Sequence, residues 1–452
     1  MSLLPPTKLQ KLQATLHAKA KGSPIYRFHA LYDKVYREDI LAFAYRCCKA
    51  NGGAAGVDDQ EFADIESYGL ERWLGELAEE LRSEGDQNGS LNAYRPQAVR
   101  RVMIPKPGQP GRTRPLGIPT IADRVAQTAA LLVLEPIFEA DFQPEQYAYR
   151  PGRSALDAVE AVHALLNTGH TEVVDADLSG YFDSIPHAEL MKSVSRRVSD
   201  RHMLHLIKMW LQAPVEETDK RGRKHRTTRN KDTGRGTPQG APISPLLSNL
   251  YMRRFILGWK VLGYEQRFQA KIVNYADDLV ICCRRNADQA MEAMRSIFRK
   301  LKLTVNEEKT HVCQIPDESF DFLGYTFGLC YTAKTGRAYV SERPSKKKIQ
   351  AVCRRISEVT NRRLCWRDTA EQVALLNRIM VGWANYFCQG PVGKPYRIVT
   401  RHARKRLRRW LCRKHKVQTG QAITRYPDKY LNHELGLVQL FLRDRNVPWA
   451  NA

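Results

Sequence analysis

This sequence is short of acid. Its 452 residues carry 48 Asp and Glu against 72 Lys and Arg, a formal charge of +24. Such an excess repels itself unless a polyanion relieves it, so the partner is nucleic acid or an anionic membrane surface. No apolar run approaches the length of a membrane span, which favours nucleic acid. Ribosomal and chromatin proteins share this balance, so charge speaks to the partner and not to the activity. Metal-binding cysteine spacing is missing too, although Cys47-Cys48 and Cys282-Cys283 are adjacent. Ten cysteines occur with no C-x-x-C spacing, which argues against a cysteine zinc site. Their scatter is not that of a disulfide framework, and a reducing interior suits them better. The N-terminus has no signal-peptide core, and no internal repeat or long low-complexity tract follows. Residues 1–32 hold no acid at all. Lys8, Lys11, Lys19 and Lys21 lie there near Leu9, Leu12 and Leu16, which reads as a basic helical arm near RNA, with an organellar transit peptide as the alternative.

What is present suffices for real cores, since 43% of the residues are hydrophobic. The length implies roughly two to four domains. Residues 33–84 read as helices broken by Asn51-Gly52-Gly53. The spacing predicts a helix over Leu70–Leu81, with Leu70, Trp73, Leu74, Leu77 and Leu81 on one face. Val99–Ile104 and Leu116–Ile118 form a predicted hairpin across a Pro/Gly-rich turn. Helices follow at Ile121–Phe138 and Ala155–Leu166, then a strand at Glu172–Leu178 and a helical stretch at His187–Leu211. Residues 215–236 are polar and basic, an exposed loop or ribbon. Ser244-Pro245 offers an N-cap and a proline at the first helical position, with the helix running on through Leu246–Leu257. A hairpin at Lys271–Cys283, a helix at Ala287–Leu301 and a strand at Phe320–Phe327 complete an α+β, palm-like core. From Pro344 the character changes to helical. Val373, Leu376, Met380 and Trp383 make a stripe that reads as bundle core, with Phe387 continuing it. Arg401–His415 holds eight Lys or Arg and no acid, a basic outer surface.

Two stretches carry chemistry. Asp277 and Asp278 sit at the predicted hairpin tip, flanked by Ile272, Val273, Val280 and Ile281. Adjacent carboxylates repel, and burying them is costly unless cations neutralise them. A pair of magnesium ions is the natural solution, because hard cations take carboxylate oxygens; an ordinary acidic turn is the plain alternative. The second stretch runs from Val173 to Asp183. As a strand it puts Asp175 and Asp177 on one face. Asp177 alone reads equally as a cap for the following turn or as a metal ligand. Three carboxylates around two ions would form a clamp for in-line displacement.

At these residues the chain resembles the reverse transcriptases encoded by bacterial group II introns. Tyr275-Ala276-Asp277-Asp278 is similar to that family's YADD signature. Ile104-Pro105-Lys106-Pro107 with Arg114-Pro115-Leu116-Gly117-Ile118-Pro119 resembles its fingers motif, and Tyr149-Arg150-Pro151-Gly152-Arg153-Ser154 resembles the next block. Gly236-Thr237-Pro238-Gln239-Gly240 through Ser244-Pro245-Leu246-Leu247-Ser248-Asn249 resembles the template-positioning block. Leu303-Thr304-Val305-Asn306 with Lys309-Thr310, then Phe322-Leu323-Gly324-Tyr325, resemble later palm blocks. Gly382-Trp383-Ala384-Asn385-Tyr386-Phe387 resembles the thumb, or maturase, domain. The blocks keep family order over most of residues 30–440.

The resemblance implies a right-hand polymerase fold: an N-terminal extension and start of fingers (1–95), fingers and palm (96–342), a helical thumb (343–415) and a short C-terminal nucleic-acid-binding extension (416–452). It makes Asp177, Asp277 and Asp278 the ligands of two Mg2+ ions, with Mn2+ as a substitute, and so chooses Asp177 over Asp175. Lys106 and Arg114 would grip the triphosphate. Phe182, five positions after Asp177, would be the gate against a ribose 2′-hydroxyl. Gln239 would touch template or incoming nucleotide, and Lys309 would lie near the site. Arg404, Arg408 and Arg409 stand for the basic thumb face expected to meet phosphate. The implied partners are intron RNA or another RNA template, a DNA primer or target and dNTPs, in a bacterial cytoplasm and on the nucleoid when DNA is bound. Two departures stand out. The chain ends without the paired-cysteine nuclease domain of many relatives, as in the shorter intron class. Asn274 replaces a residue that is often basic, with an expected modest change in primer contact. Three other readings compete: the same polymerase detached from any intron and used in defence or repair, an RNA-binding splicing cofactor with a dead polymerase, and an RNA-dependent RNA polymerase. Intact Asp177, Asp277, Asp278, Lys106 and Arg114 argue against the second, and Phe182 and Ala276 against the third.

Overall fold

The computed structural model describes residues 3–83, 93–105, 111, 113–219, 221–332 and 335–442. The chain divides into two compact units. Met1–Ser154, Ala176–Leu279 and Asp288–His311 make the first; Ala155–Asp175, Val280–Ala287 and Val312–Ala452 make the second. The described strands are β1 (Val99–Pro105), β2 (Thr113–Ile118), β3 (Glu172–Asp177), β4 (Val215–Thr218), β5 (Lys224–Thr227), β6 (Ala270–Tyr275), β7 (Asp278–Cys283), β8 (His311–Gln314), β9 (Phe320–Phe322), β10 (Tyr325–Tyr331) and β11 (Ala338–Pro344). They form sheets ordered β2-β1-β4-β5, β6-β7-β3-β8 and β11-β10-β9.

In the first unit the expected N-terminal arm is a packed helix, Thr7–Gly22, that buries Leu9, Leu16 and Ala20. It lies on the helix Ile121–Glu139, to which Gln13 donates at the Leu132 carbonyl (3.0 Å). That second helix is apolar on most sides, as a core helix should be, and the Thr120 side chain caps its start. The predicted amphipathic helix spans Leu70–Ser83 and buries Trp73, Leu74, Leu77 and Leu81. Each such side chain adds about 1.5–3 kcal/mol on burial.

Three local expectations need correction. The helical stretch from His187 is two helices, His187–Ser195 and Arg201–Gln212. Asp200 divides them, because its carboxylate accepts from the N–H of Met203 (3.1 Å), Leu31 (2.7 Å) and Tyr32 (2.8 Å), a role the sequence periodicity cannot display. The ribbon at 215–236 is exposed only in part. Val215 and Glu216 are buried, because β4 adds to β1 in parallel with Val99 opposite Val215. Ser244 does not cap its helix: it lies inside Ser244–Val261, and its hydroxyl donates instead to the Pro238 carbonyl (2.9 Å).

In the second unit the single strand expected at Phe320–Phe327 is β9 and β10, reversed at Leu323 and Gly324, whose φ values are +50° and +86°. Beyond β11, the helices Lys346–Val359, Thr369–Tyr386 and Gly393–Lys414 share one core of Ile356, Leu376, Met380, Val399, Leu407 and Trp410. Leu431, Leu437 and Leu440 close the same core from the C-terminal side. Among the described residues no helix is long and apolar enough to cross a membrane.

Candidate active site

The hairpin tip between β6 and β7 is built by Asn274. This residue is fully buried, and its amide donates to the carbonyls of Ala276 (2.9 Å) and Asp278 (3.3 Å). Its amide N–H groups are thus engaged inside the turn, where many relatives carry a basic residue. Ala276 takes a left-handed φ of +58°. That conformation costs a residue with a β-carbon about 1–2 kcal/mol, so the turn must be held by its surroundings. It presents Asp277 and Asp278, the latter opening β7.

Asp177 is the last residue of β3, the neighbour of β7 in the sheet. Its carboxylate accepts from Lys309 Nζ (2.9 Å) and Asn306 Nδ2 (2.9 Å), both on the same oxygen. The Asn306 N–H also donates to the Asp177 carbonyl (2.8 Å), which ties the strand end to the segment after Leu303. Lys309 thus bonds the Asp177 carboxylate directly. Among the described residues no three His, Cys, Asp or Glu side chains converge closely enough to hold a metal ion. The donors themselves fit one: hard carboxylate oxygens at the ends of adjacent strands, one of them already facing a cation.

Electrostatics draw the other members together. Burial pushes the Tyr149 phenol up, followed by the charges of Asp277, Tyr275 and Asp278, while Arg114 pulls it down. Asp277, Asp278 and Arg114 are therefore all within electrostatic reach of Tyr149. Tyr149 is half exposed, with a φ of +55°. Tyr181 is fully buried and also raised, by burial first and then by the neighbouring Tyr251 and Asp277 charges; its hydroxyl donates to the Ser248 carbonyl (2.6 Å). Sequence reasoning gave Tyr149, Asn306 and Asp183 no role. All three stood within motif stretches of the sequence, which was the available signal.

Phe182 is half-buried in the turn Tyr181–Ser184, its ring 5.7 Å from that of Tyr181, and its carbonyl accepts from Thr237 N–H (2.8 Å). Gln239 donates to Asp183 at 3.4 Å, and its carbonyl accepts from Gly117 N–H (2.6 Å). A β-carbon on Gly240, whose φ is +105°, would lie 2.4 Å from the Gly117 carbonyl, so this contact with β2 needs glycine. Arg114 is exposed on β2, opposite Ile104. Lys106 lies outside the described residues. A cleft of about 1090 Å³ lined by His187, Arg201, His205, Lys208, Arg235 and Lys302 contains none of these residues.

The basic helix Gly393–Lys414 departs from expectation. Arg404 bonds Asp428, Asn432 and Gln439, and Arg408 bonds Asp428 and the Tyr426 carbonyl. Their side chains are 18% and 15% exposed, so they are occupied within the bundle. Arg409 is exposed, in a stripe with Arg401, Lys405 and Arg413. The C-terminal segment covers the other side, and no pattern within the helix reveals which side that is.

Comparison with known proteins gives two family matches. Residues 104–327 match the model for reverse transcriptase (RNA-dependent DNA polymerase), and residues 349–426 match the group II intron maturase-specific domain. Protein YkfC of Escherichia coli (strain K12) is 33% identical over 355 residues, covering 70% of this chain and 87% of that protein. The group II intron-encoded protein LtrA of Lactococcus lactis subsp. cremoris is 27% identical over 361 residues, covering 66% of this chain and 56% of LtrA. Nuclear intron maturase 2, mitochondrial, of Arabidopsis thaliana is 33% identical over 110 residues, covering 24% of this chain and 15% of that protein. Reverse transcriptase domains use divalent metal ions, and one on a mixed α/β chain implies the right-hand polymerase fold. The chain belongs to the reverse transcriptase/maturase family of group II introns.

Proposed function

We propose that this chain is an RNA-directed DNA polymerase that binds group II intron RNA, assists its splicing and copies it into cDNA from a DNA primer. Residues 96–342 serve as fingers and palm and 343–415 as thumb, flanked by the extensions 1–95 and 416–452. Asp177, Asp277 and Asp278 would hold two Mg2+ ions, or Mn2+ in their place. When bound, such ions supply activation of the primer 3′-hydroxyl and neutralise charge on the leaving group.

The protein's own residues prepare that chemistry. Lys309 and Asn306 fix the orientation of the Asp177 carboxylate. Asn274 holds the turn that presents Asp277 and Asp278. Arg114, which acts on the same phenol as both carboxylates, would meet the triphosphate together with Lys106, a residue outside those described. Tyr149, its phenol raised, stays protonated at neutral pH and offers a hydrogen-bond donor. Phe182 offers bulk against a 2′-hydroxyl, and Gln239 reaches the template or incoming nucleotide. The observation that carries the reading is that Asp177 ends β3 and Asp278 opens the neighbouring strand β7, with Lys309 on the Asp177 carboxylate. The maturase-domain match at 349–426 favours intron binding over a polymerase detached from any intron.

The test is Asp277→Ala with Asp278→Ala. DNA synthesis on a primed RNA template should fall by orders of magnitude, because two of the three proposed ligands are gone. Removing crowded carboxylates relieves repulsion, so the fold should survive. Intron RNA binding and splicing assistance rest on basic surfaces and should persist. Robust cDNA synthesis by the variant would sink the catalytic assignment. Loss of splicing by a folded variant would show that the two activities share the site.

A further inference from the structure

A lone exposed aromatic needs no explanation on a protein surface. Trp366 differs through its setting. It is 75% exposed, in the loop that joins the helices Lys346–Val359 and Thr369–Tyr386. The backbone around it is tied down on both sides. Asn361 Oδ1 accepts from Arg363 N–H (3.1 Å), and Trp410 Nε1 donates to the Leu364 carbonyl (3.2 Å). Lys414 Nζ donates to the carbonyls of Cys365 (3.2 Å) and Arg367 (2.6 Å). Asp368, the one acid between 361 and 368, accepts from Ala370 N–H (2.7 Å) as a helix cap. The loop is thus rigid by construction, yet it leaves its largest apolar side chain in water.

Apart from Asp368, which caps the next helix, the charges of this loop are all positive. Arg362 and Arg363 are exposed, and the Arg367 guanidinium lies 5.7 Å from the Trp366 ring centroid. The turn Trp410–Lys414 that anchors the loop also carries Arg413 outward, next in the stripe after Arg409. An aromatic face held rigidly among arginines is the chemistry that receives an unpaired base while its flanking phosphates are neutralised. We propose that Trp366 is a stacking platform for one unpaired base of a bound RNA, with Arg362, Arg363 and Arg367 on the adjoining phosphates. This rests on the reading of the bundle as an RNA-binding surface, and names the feature it takes: a single-stranded loop or bulge, not a paired stem.

The full chain is tested with an RNA stem carrying an unpaired loop and with a blunt, fully paired stem of equal length, across a salt series. Stacking on an aromatic is worth about 1–3 kcal/mol per base, so Trp366→Ala should weaken binding of the looped RNA roughly 5- to 150-fold. The slope of log affinity against log salt should not change, since no charge is lost. Trp366→Phe, which keeps a π-face, should recover most of the affinity. Blunt RNA should bind all forms alike. Truncating so exposed a side chain opens no cavity, and an unchanged melting temperature verifies that. Unchanged affinity of Trp366→Ala for the looped RNA overturns the platform, and so does an equal loss on blunt RNA. Arg409→Gln with Arg413→Gln probes the underlying reading separately. A flattened salt slope there beside full binding by Trp366→Ala leaves the basic surface standing and removes the platform. An unaltered slope beside a Trp366→Ala defect on looped RNA alone keeps the platform and removes the basic stripe.

Discussion

Replacing Arg401, Lys405, Arg409 and Arg413 by glutamine strips the exposed stripe of the helix Gly393–Lys414 without touching its core. Each phosphate contact on duplex contributes about 0.9 to the slope of log affinity against log salt, and about 0.7 on a single strand. If all four meet phosphate, the slope flattens by about three. Over a fourfold rise in salt the parent then loses about 60-fold more affinity than the variant. The control is Arg404→Gln with Arg408→Gln, which removes equal charge per residue from the covered side. Those two side chains are 18% and 15% exposed and share Asp428, which is 54% exposed. Solvent screens that carboxylate, so the ion pairs themselves add little. The bonds to Asn432, Gln439 and the Tyr426 carbonyl bring the expected loss to about 1–3 kcal/mol of stability, with the salt slope changed by less than one. Filter binding across a salt series and thermal denaturation read the two variants. A four-residue variant with the parent's slope, or a control that flattens it equally, would refute the assignment of faces.

Phe182→Ala should admit ribonucleotides while leaving deoxynucleotide use largely intact; unchanged discrimination in primer extension removes Phe182 from the gate. Lys309→Met frees the Asp177 oxygen from a competing ammonium at 2.9 Å, so half-maximal synthesis should need less Mg2+, while the KM for dNTP rises. A metal titration superimposable on the parent's contradicts that reading. Burial pushes Asp123 up to about 6, against hydrogen bonds from Tyr94, Thr120 and Gln97. A carboxyl raised by folding keeps its proton longer in the native state, so its stabilisation is whole below about pH 4 and lost as pH rises through about 6. Glu135, also raised to about 6 by burial, acts with the same sign. Asp123→Asn should therefore reduce, not abolish, the fall in unfolding free energy between pH 4 and 6, measured by urea titration; an unaltered profile would exclude Asp123 as a source.

Local pattern carried much of the architecture. The face of Trp73, Leu74, Leu77 and Leu81, the β1–β2 hairpin and the core residues Val373, Leu376 and Met380 follow from spacing alone. What spacing could not carry were choices made by distant chain. Arg404 and Arg408 lie on one helix with Arg409, but Asp428 and the segment that ends in Leu440 take one side of it. Asp200 breaks a helical pattern because Leu31 and Tyr32 need an acceptor there. Asn274 read only as a departure from an often basic position; its role in the turn rests on burial and on the Ala276 and Asp278 carbonyls that take its amide, which no spacing displays. Tyr149 went unnoticed because its relevance lies in charges from Asp277 and Asp278, far away in sequence.

Two cations proposed for the site, Lys309 and Arg114, lie near its carboxylates. Lys309 bonds Asp177, and Arg114 and the Asp277–Asp278 pair all act on the Tyr149 phenol. A site that crowds acids on adjacent strand ends is costly unless positive charge is close at hand. Lys309 and Arg114 provide it before any nucleotide or ion arrives, and both are exposed, so neither is buried in that role. Lysine and arginine on exposed side chains can change partner at little cost, because the charge stays solvated throughout. A triphosphate and its ions can then replace these contacts without leaving an orphaned charge behind. On this account the first effect of truncating either cation is on ion and nucleotide affinity, with the hairpin and its Asn274 scaffold intact.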